Sequence, residues 1–149
     1  MKQTLRESYV KVFYSKMGIY DPVDIDEWRI ADFWGIDIIY HYGDPHFFHN
    51  TIYLNANLHP KEQRVHFFHE LAHIIRQSTG NQLFEPTTMS DYLEWDADIF
   101  ALYACLPWHM VRLYDLTDED LPCHLSNDFV VPHDMVYKRL HQIKQRLTI

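Results

Sequence analysis

Glycine, cysteine and long hydrophobic runs are all scarce in this chain of 149 residues. Only 4 glycines are present, and the chain contains neither G-x-x-x-x-G-K nor G-x-G-x-x-G, which excludes the common Gly-rich phosphate-binding loops. Two cysteines are too few for a disulfide framework, so we expect Cys105 and Cys123 to be reduced and without a catalytic role. The longest apolar run, from Ile99 to Leu106, is much shorter than the roughly 20 residues of a membrane-spanning helix.

Basic residues are also few, with 13 Lys and Arg against 21 Asp and Glu, which gives a net charge of −8. This balance excludes a protein that coats DNA or RNA, because phosphate contacts need clustered Lys and Arg. Hydrophobic residues make up 47% of the chain, which is typical of a folded domain. No apolar stretch follows Lys2, so no secretory signal is predicted. We expect a single domain over residues 1–149, located in the cytoplasm.

Hydrophobic periodicity and turn residues predict an α+β fold, with a small sheet early in the chain and mostly helices after it. Strands are predicted at Ile36–Tyr42, Phe47–His49 and Thr51–Leu54, the last two as a hairpin around Asn50. Before and directly after the strands, helices are predicted at about residues 3–16, from Asp24 or Asp26 to before Gly35, and from Pro60 to about Arg76. Later in the chain, helices are predicted from Asp91 to Leu106, shortly after a capping Thr117, and from Pro132 onward.

Histidine is unexpectedly frequent, with 11 residues on this acidic chain. Two of them stand in an H-E-x-x-H motif, His69-Glu70-Leu71-Ala72-His73, inside the helix predicted from Pro60. Residues four apart lie on the same helical face, so both imidazoles can bind one metal ion. Glu70 is rotated by about 100° and can act as general base on a water that zinc activates. Two histidines and a carboxylate also suit non-haem iron, but the helical motif favours zinc.

A catalytic zinc needs a third protein ligand. His66 is excluded, because about 10.5 Å of helix axis separates it from His73. Glu94, on the next predicted helix, is the expected ligand, and Asp98 one turn later can accept the proton of a ligand histidine. Asp96 is a weaker alternative, since it lies about 200° round the helix from Glu94. In the alternative interpretation Glu94 and Asp98 are a solvated helix face.

Three motifs in this order resemble the ImmA/IrrE family of metallopeptidases, over about Ile25 to Leu140. The first is a strand, Ile52-Tyr53-Leu54-Asn55, followed by a short link and by the active-site helix from Gln63-Arg64 through His69-Glu70-Leu71-Ala72-His73. The second is Glu94 to Ala101 followed by Pro107. The third is Phe129-Val130-Val131-Pro132 followed by Val136 and Arg139-Leu140.

The resemblance implies a zincin-like fold in which His69, His73 and Glu94 bind zinc and Glu70 is the catalytic base. It also implies an endopeptidase whose substrate is a helix-turn-helix repressor of a phage, mobile element or stress operon. The family varies at the position of Asp98, so the role of Asp98 follows less directly than that of Glu94. The chain shows no helix-turn-helix of its own, so the expected partner is a separate basic, DNA-binding protein that an acidic chain can attract.

Two alternatives to a protease stay open at this point. One is a zinc-stabilised regulator that binds a partner without cutting it, although such a module would not need Glu70. The other is a structural protein without metal. The sequence also leaves open which donor stabilises the reaction intermediate, with candidates His46, His49, Tyr53, His109 and Tyr114. The strand at Thr51–Leu54 is predicted to be a sheet edge that holds the substrate extended.

Overall fold

A computed structural model describes residues 3–78 and 86–147. The described residues form seven α-helices, one short 3-10 helix and three strands, which confirms the predicted α+β class. The helices are α1 Leu5–Lys16, α2 Glu27–Trp34, α3 Pro60–Ser78, α4 Pro86–Cys105, α5 Trp108–Val111, α6 Leu121–Phe129 and α7 His133–Leu147; the 3-10 helix is Pro22–Asp24; the strands are β1 Asp37–His41, β2 His46–Phe48 and β3 Thr51–Asn55. Within these ranges no helix has the length and apolar character needed to cross a bilayer.

The chain divides into two compact units. One unit is continuous in sequence, residues 27–101, and holds α2, the three strands, α3 and most of α4. The other combines residues 1–26 with residues 102–149. Each unit has its own buried apolar residues, as expected for a compact folded unit.

The sheet of the first unit has the order β1-β3-β2, with β1 parallel and β2 antiparallel to β3. The predicted sheet edge at Thr51–Leu54 is therefore wrong, because this segment is the central strand and is paired on both sides. Ile52 and Leu54 alternate inward and are 0% and 1% exposed. β2 is an edge strand, because no strand of the described residues pairs with its other side.

α3 packs against β3 and β2. One face of the helix is apolar and buried, since Phe67, Phe68 and Leu71 are all 0% exposed. Pro60 opens the helix, as its missing N–H would have no helical partner there in any case. The opposite face carries Glu62, His66, His69 and His73, none of which is fully buried. α3 thus presents a row of titratable side chains outside the core.

Three local predictions need correction or fall outside the described residues. α4 begins at Pro86 rather than Asp91, and proline is well suited to a first helical turn. Thr117 does not cap α6: its hydroxyl donates to Asp115, and the helix begins four residues later at Leu121. α3, predicted to end at about Arg76 before a breaking segment at residues 78–81, runs to Ser78, and residues 79–81 lie outside the described residues; the short helix α5 was not predicted.

A buried ion cluster joins the first and last helices of the second unit. The carboxylate of Glu7 on α1 accepts hydrogen bonds from Arg139 and Arg146 on α7, at 2.9 Å and 3.0 Å. The side chains of Glu7 and Arg139 are both 0% exposed. Burial raises the pKa of Glu7, but its bonds to the Thr4 backbone and to the two arginines outweigh this, so the pKa lies below its usual value.

We expect Glu7→Gln to lower the free energy of unfolding by about 3 kcal/mol, because it leaves the buried Arg139 charge uncompensated. A group with a lowered folded pKa stabilises the protein above its unfolded pKa, and this contribution is lost as the pH falls through the folded pKa. Wild type should therefore lose stability below about pH 4.5 more steeply than Glu7→Gln. Urea unfolding at pH 7 and at lower pH measures both effects. The same change at exposed Glu119 should alter stability by less than about 0.5 kcal/mol.

Candidate metal centre

His69 and His73 on α3 and Glu94 on α4 come together at one point of the first unit. Each offers a ligand atom, and these atoms all lie within 4.8 Å of one another. The Nε2 atoms of the two histidines are 3.2 Å apart. The two carboxylate oxygens of Glu94 lie 3.0 Å from Nε2 of His69 and 2.8 Å from Nε2 of His73. The arrangement has the spacing and the donor types of a metal site.

Asp98 lies beside the imidazole of His69. Its Oδ1 lies 2.8 Å from Nδ1 of His69, and since a carboxylate can only accept, Nδ1 carries the ring proton. In the metal-binding form of the ring the lone pair is then on Nε2, which faces Glu94 and His73. Lone pairs that converge in this way need a cation or a shared proton between them, so the donor set fits a divalent transition metal.

Burial favours the ligating form of His73. The ring lies 5.5 Å from the ring of Phe47 on β2 and is nearly parallel to it. Burial lowers the pKa of His73 despite the opposing charge of Glu94, and the neutral imidazole is the form that binds metal. Phe47 has no motif that could have marked it in the sequence, because its role depends on the sheet register.

Glu70 follows His69 on α3 but is not one of the three converging groups. It is 8% exposed. Burial raises its pKa above the usual range, with Glu94 adding to the shift and His69 and His46 opposing it. A carboxyl group in this setting is suited to accept and return a proton.

Asp96 pairs with Arg76 instead of joining the three converging groups. It is 1% exposed and accepts two hydrogen bonds from Arg76 of α3, at 2.7 Å and 3.2 Å. The helix angle that made it the weaker candidate in the sequence therefore points its carboxylate at another partner.

The five candidate donors for the reaction intermediate are spread over the chain. His46 and Tyr53 stack on each other, with ring centroids 4.4 Å apart. They lie on the sheet face opposite Phe47, since neighbouring strand residues alternate. His49 occupies the hairpin turn with φ 53°. His109 and Tyr114 belong to the other unit, where Tyr114 donates to Asp128 at 2.6 Å. Only His46 influences a site residue, through its charge on Glu70.

The family model of the IrrE N-terminal-like domain, peptidase family M78, matches residues 27–141. The chain belongs to this family. The match confirms the resemblance inferred from the motifs, and the α+β fold with its small sheet agrees with a zincin-like M78 domain. Within the matched range lie His69, Glu70, His73, Glu94 and Asp98.

Two similar proteins come from Bacillus subtilis (strain 168). The chain is 32% identical to protein YqaB over 116 residues, which cover 74% of this chain and 66% of that protein. It is 28% identical to phage-like element PBSX protein XkdA over 148 residues, which cover 94% of this chain and 73% of that one. The chain therefore covers slightly less than two thirds of the length of YqaB.

A solved structure titled Mycobacterium tuberculosis transcriptional regulator has the same fold. It aligns with a TM-score of 0.65 at 14% identity, over 88% of this chain and 45% of that one. At this identity the likeness concerns the fold alone.

We expect the metal-free protein to bind one divalent transition metal ion per chain. Titration with Co²⁺ should give the visible absorption of a low-symmetry site with a stoichiometry near one. His73→Ala removes one of three ligands and should abolish binding at micromolar metal. His141→Ala, an exposed histidine on α7, is the control, and equal loss in both variants would contradict the assignment.

Asp98→Asn tests whether the contact of Asp98 with His69 supports metal binding. The amide can still accept, but it lacks the charge that raises the basicity of the imidazole, so metal affinity should fall about 10- to 100-fold. Competition with a chromogenic chelator measures the change. Asp91→Asn, an exposed residue seven positions earlier on α4, should leave the affinity unchanged.

Proposed function

We propose that this chain is a zinc-dependent endopeptidase that cleaves a helix-turn-helix repressor. The observation that carries the proposal is the convergence of His69, His73 and Glu94 beside a buried Glu70. Membership of a peptidase family supports the hydrolytic part of the proposal. A zinc ion held by the three groups would supply Lewis-acid activation of a water molecule for attack on an amide carbonyl.

Glu70 moves the proton in this reaction. Its carboxylate accepts a proton from the attacking water and delivers it to the amine nitrogen as the carbon–nitrogen bond breaks. Burial raises the pKa of the Glu70 carboxyl toward pH 7. Accepting and returning the proton are both efficient when the pKa lies near the working pH. Asp98 keeps the proton of His69 on Nδ1 and so directs Nε2 at the ion.

The edge strand β2 supplies a place for an extended substrate. A two-residue loop joins Phe48 to Thr51, so Phe48 and Thr51 form the hydrogen-bonded pair next to the turn. Phe47 and Ile52 are then a pair without mutual hydrogen bonds. The backbone N–H and C=O of Phe47 therefore point to the free edge, where a peptide strand can pair with them beside His73.

A repressor is the proposed substrate because three findings agree. The chain carries a charge of −8, which suits docking on a basic DNA-binding protein. The relative XkdA is named as a protein of a phage-like element. The family resemblance drawn from the motifs points to the same class of substrate.

Co-expression with the repressor encoded beside its gene tests the proposal. Wild type should shorten the repressor, and Glu70→Gln should cut it at least about 100-fold more slowly while still binding zinc, because only the proton acceptor is lost. Time-resolved mass spectrometry of the repressor measures both rates. Glu119→Gln is the matched control.

Two results would contradict the proposal in different ways. If Glu70→Gln cuts as fast as wild type, Glu70 is not the base. If wild type and variant both co-purify with an intact repressor, the chain is a zinc-stabilised binding protein rather than a protease.

A further inference from the structure

His66 lies on the same open face of α3 as the candidate metal centre. Relative to His66, the residues His69, Glu70 and His73 lie within about 60° round the helix axis. The mid-point between His69 and His73 is about 7.5 Å further along the axis, which an extended peptide covers in about two residues. A peptide that runs along the axis of α3 at the site would therefore pass His66 close to its cleaved bond.

One nitrogen of the His66 imidazole has no hydrogen-bond partner among the described residues. This nitrogen is Nδ1, and it is buried. A proton at this position would be a buried donor without an acceptor, so the geometry assigns the proton to Nε2. Burial also lowers the pKa of His66, against the opposing charge of Glu62, which keeps the ring neutral near pH 7. The residue thus presents a single N–H donor.

The carboxylates around His66 disfavour a charged acceptor for its N–H. Glu62 and Glu70 lie one helical turn before and after His66, so an Asp or Glu side chain of a peptide would meet two like charges. A Lys or Arg side chain can pair with the two carboxylates, but it has only donors and would leave the N–H of His66 without an acceptor. An apolar side chain would leave the N–H without a partner in the bound state. An uncharged amide can accept from His66 and donate to exposed Glu62.

We propose that His66 is a specificity-determining residue that binds the side-chain carbonyl of Gln or Asn within two residues of the cleaved bond. The inference rests on the proposed peptidase function and names a preference within it. The distance that keeps His66 away from the metal ion is what makes it available to the substrate.

A peptide library measures this preference directly. The probe is a set of acetylated, amidated decapeptides that vary one residue at a time, incubated with the zinc-loaded protein and read by mass spectrometry. Wild type should favour Gln or Asn over Leu and over Glu by about fivefold or more at one position within two residues of the cut. His66→Leu should lose this preference and cut the Leu peptides at least as well.

His66→Gln keeps a side-chain amide donor and should retain part of the preference. His141→Leu makes the same change on an exposed face of α7 and should leave the preference unchanged. Circular dichroism and zinc content show whether each variant is folded. A preference for amides that persists in folded His66→Leu, or that is absent from wild type, overturns the inference.

Binding separates this inference from the proposed function. In the Glu70→Gln background, fluorescence anisotropy should show tighter binding of the Gln peptide than of the Leu peptide, and His66→Leu should remove the difference. If this binding preference is found but no peptide is ever cut, the peptidase proposal fails and the role of His66 stands. If neither cutting nor selective binding is found, both fail.

Discussion

The position of α4 relative to α3 is the constraint on which the whole site depends. A straight helix such as α3 can offer only two ligands to one ion, and His69 and His73, one turn apart on the same face, are these two candidates. The third must come from another helix, held at a fixed rotation and height. The ion pair between the half-exposed Arg76 and the buried Asp96 contributes to both, since it joins the two helices three residues beyond His73 and two beyond Glu94. An ion pair outside the candidate metal centre thus helps to hold Glu94 beside the two histidines.

The acidic residues Glu94, Asp96 and Asp98 of α4 differ in their burial and in the partners that they contact. Asp96 is almost fully buried and paired with Arg76, whereas the side chains of Glu94 and Asp98 are 59% and 63% exposed. Exposed carboxylates keep their charge at little cost, which suits a ligand and its orienting partner. The buried carboxylate is stable only because its counter-ion is beside it. Side-chain identity alone would not have distinguished these three residues.

Predictions from the sequence were correct where short-range backbone and side-chain geometry determined the structure. The four-residue step between His69 and His73, the start of α3 at Pro60 and the strand pattern of β3 all follow from short-range geometry. The place of Glu94 followed from its apolar surroundings and from family motifs, and the structure brings it to the histidines. Predictions of long-range pairing did less well: the central position of β3 and the contact of Phe47 with His73 depend on how strands pair. The predicted helix cap at Thr117 was wrong for a different reason, because the Thr117 hydroxyl donates to Asp115 instead.

The ion cluster of Glu7 with Arg139 and Arg146 has a consequence for the order of events during synthesis. All residues of the unit 27–101 leave the ribosome in one uninterrupted stretch, so this unit can fold as soon as that stretch has emerged. The other unit needs a helix from each end of the chain, and the carboxylate of Glu7 meets its first guanidinium only after residue 139 has been made. Until then α1 carries a carboxylate without its buried partner. Translation therefore delivers the unit with the candidate metal centre first and the unit closed by the ion cluster last.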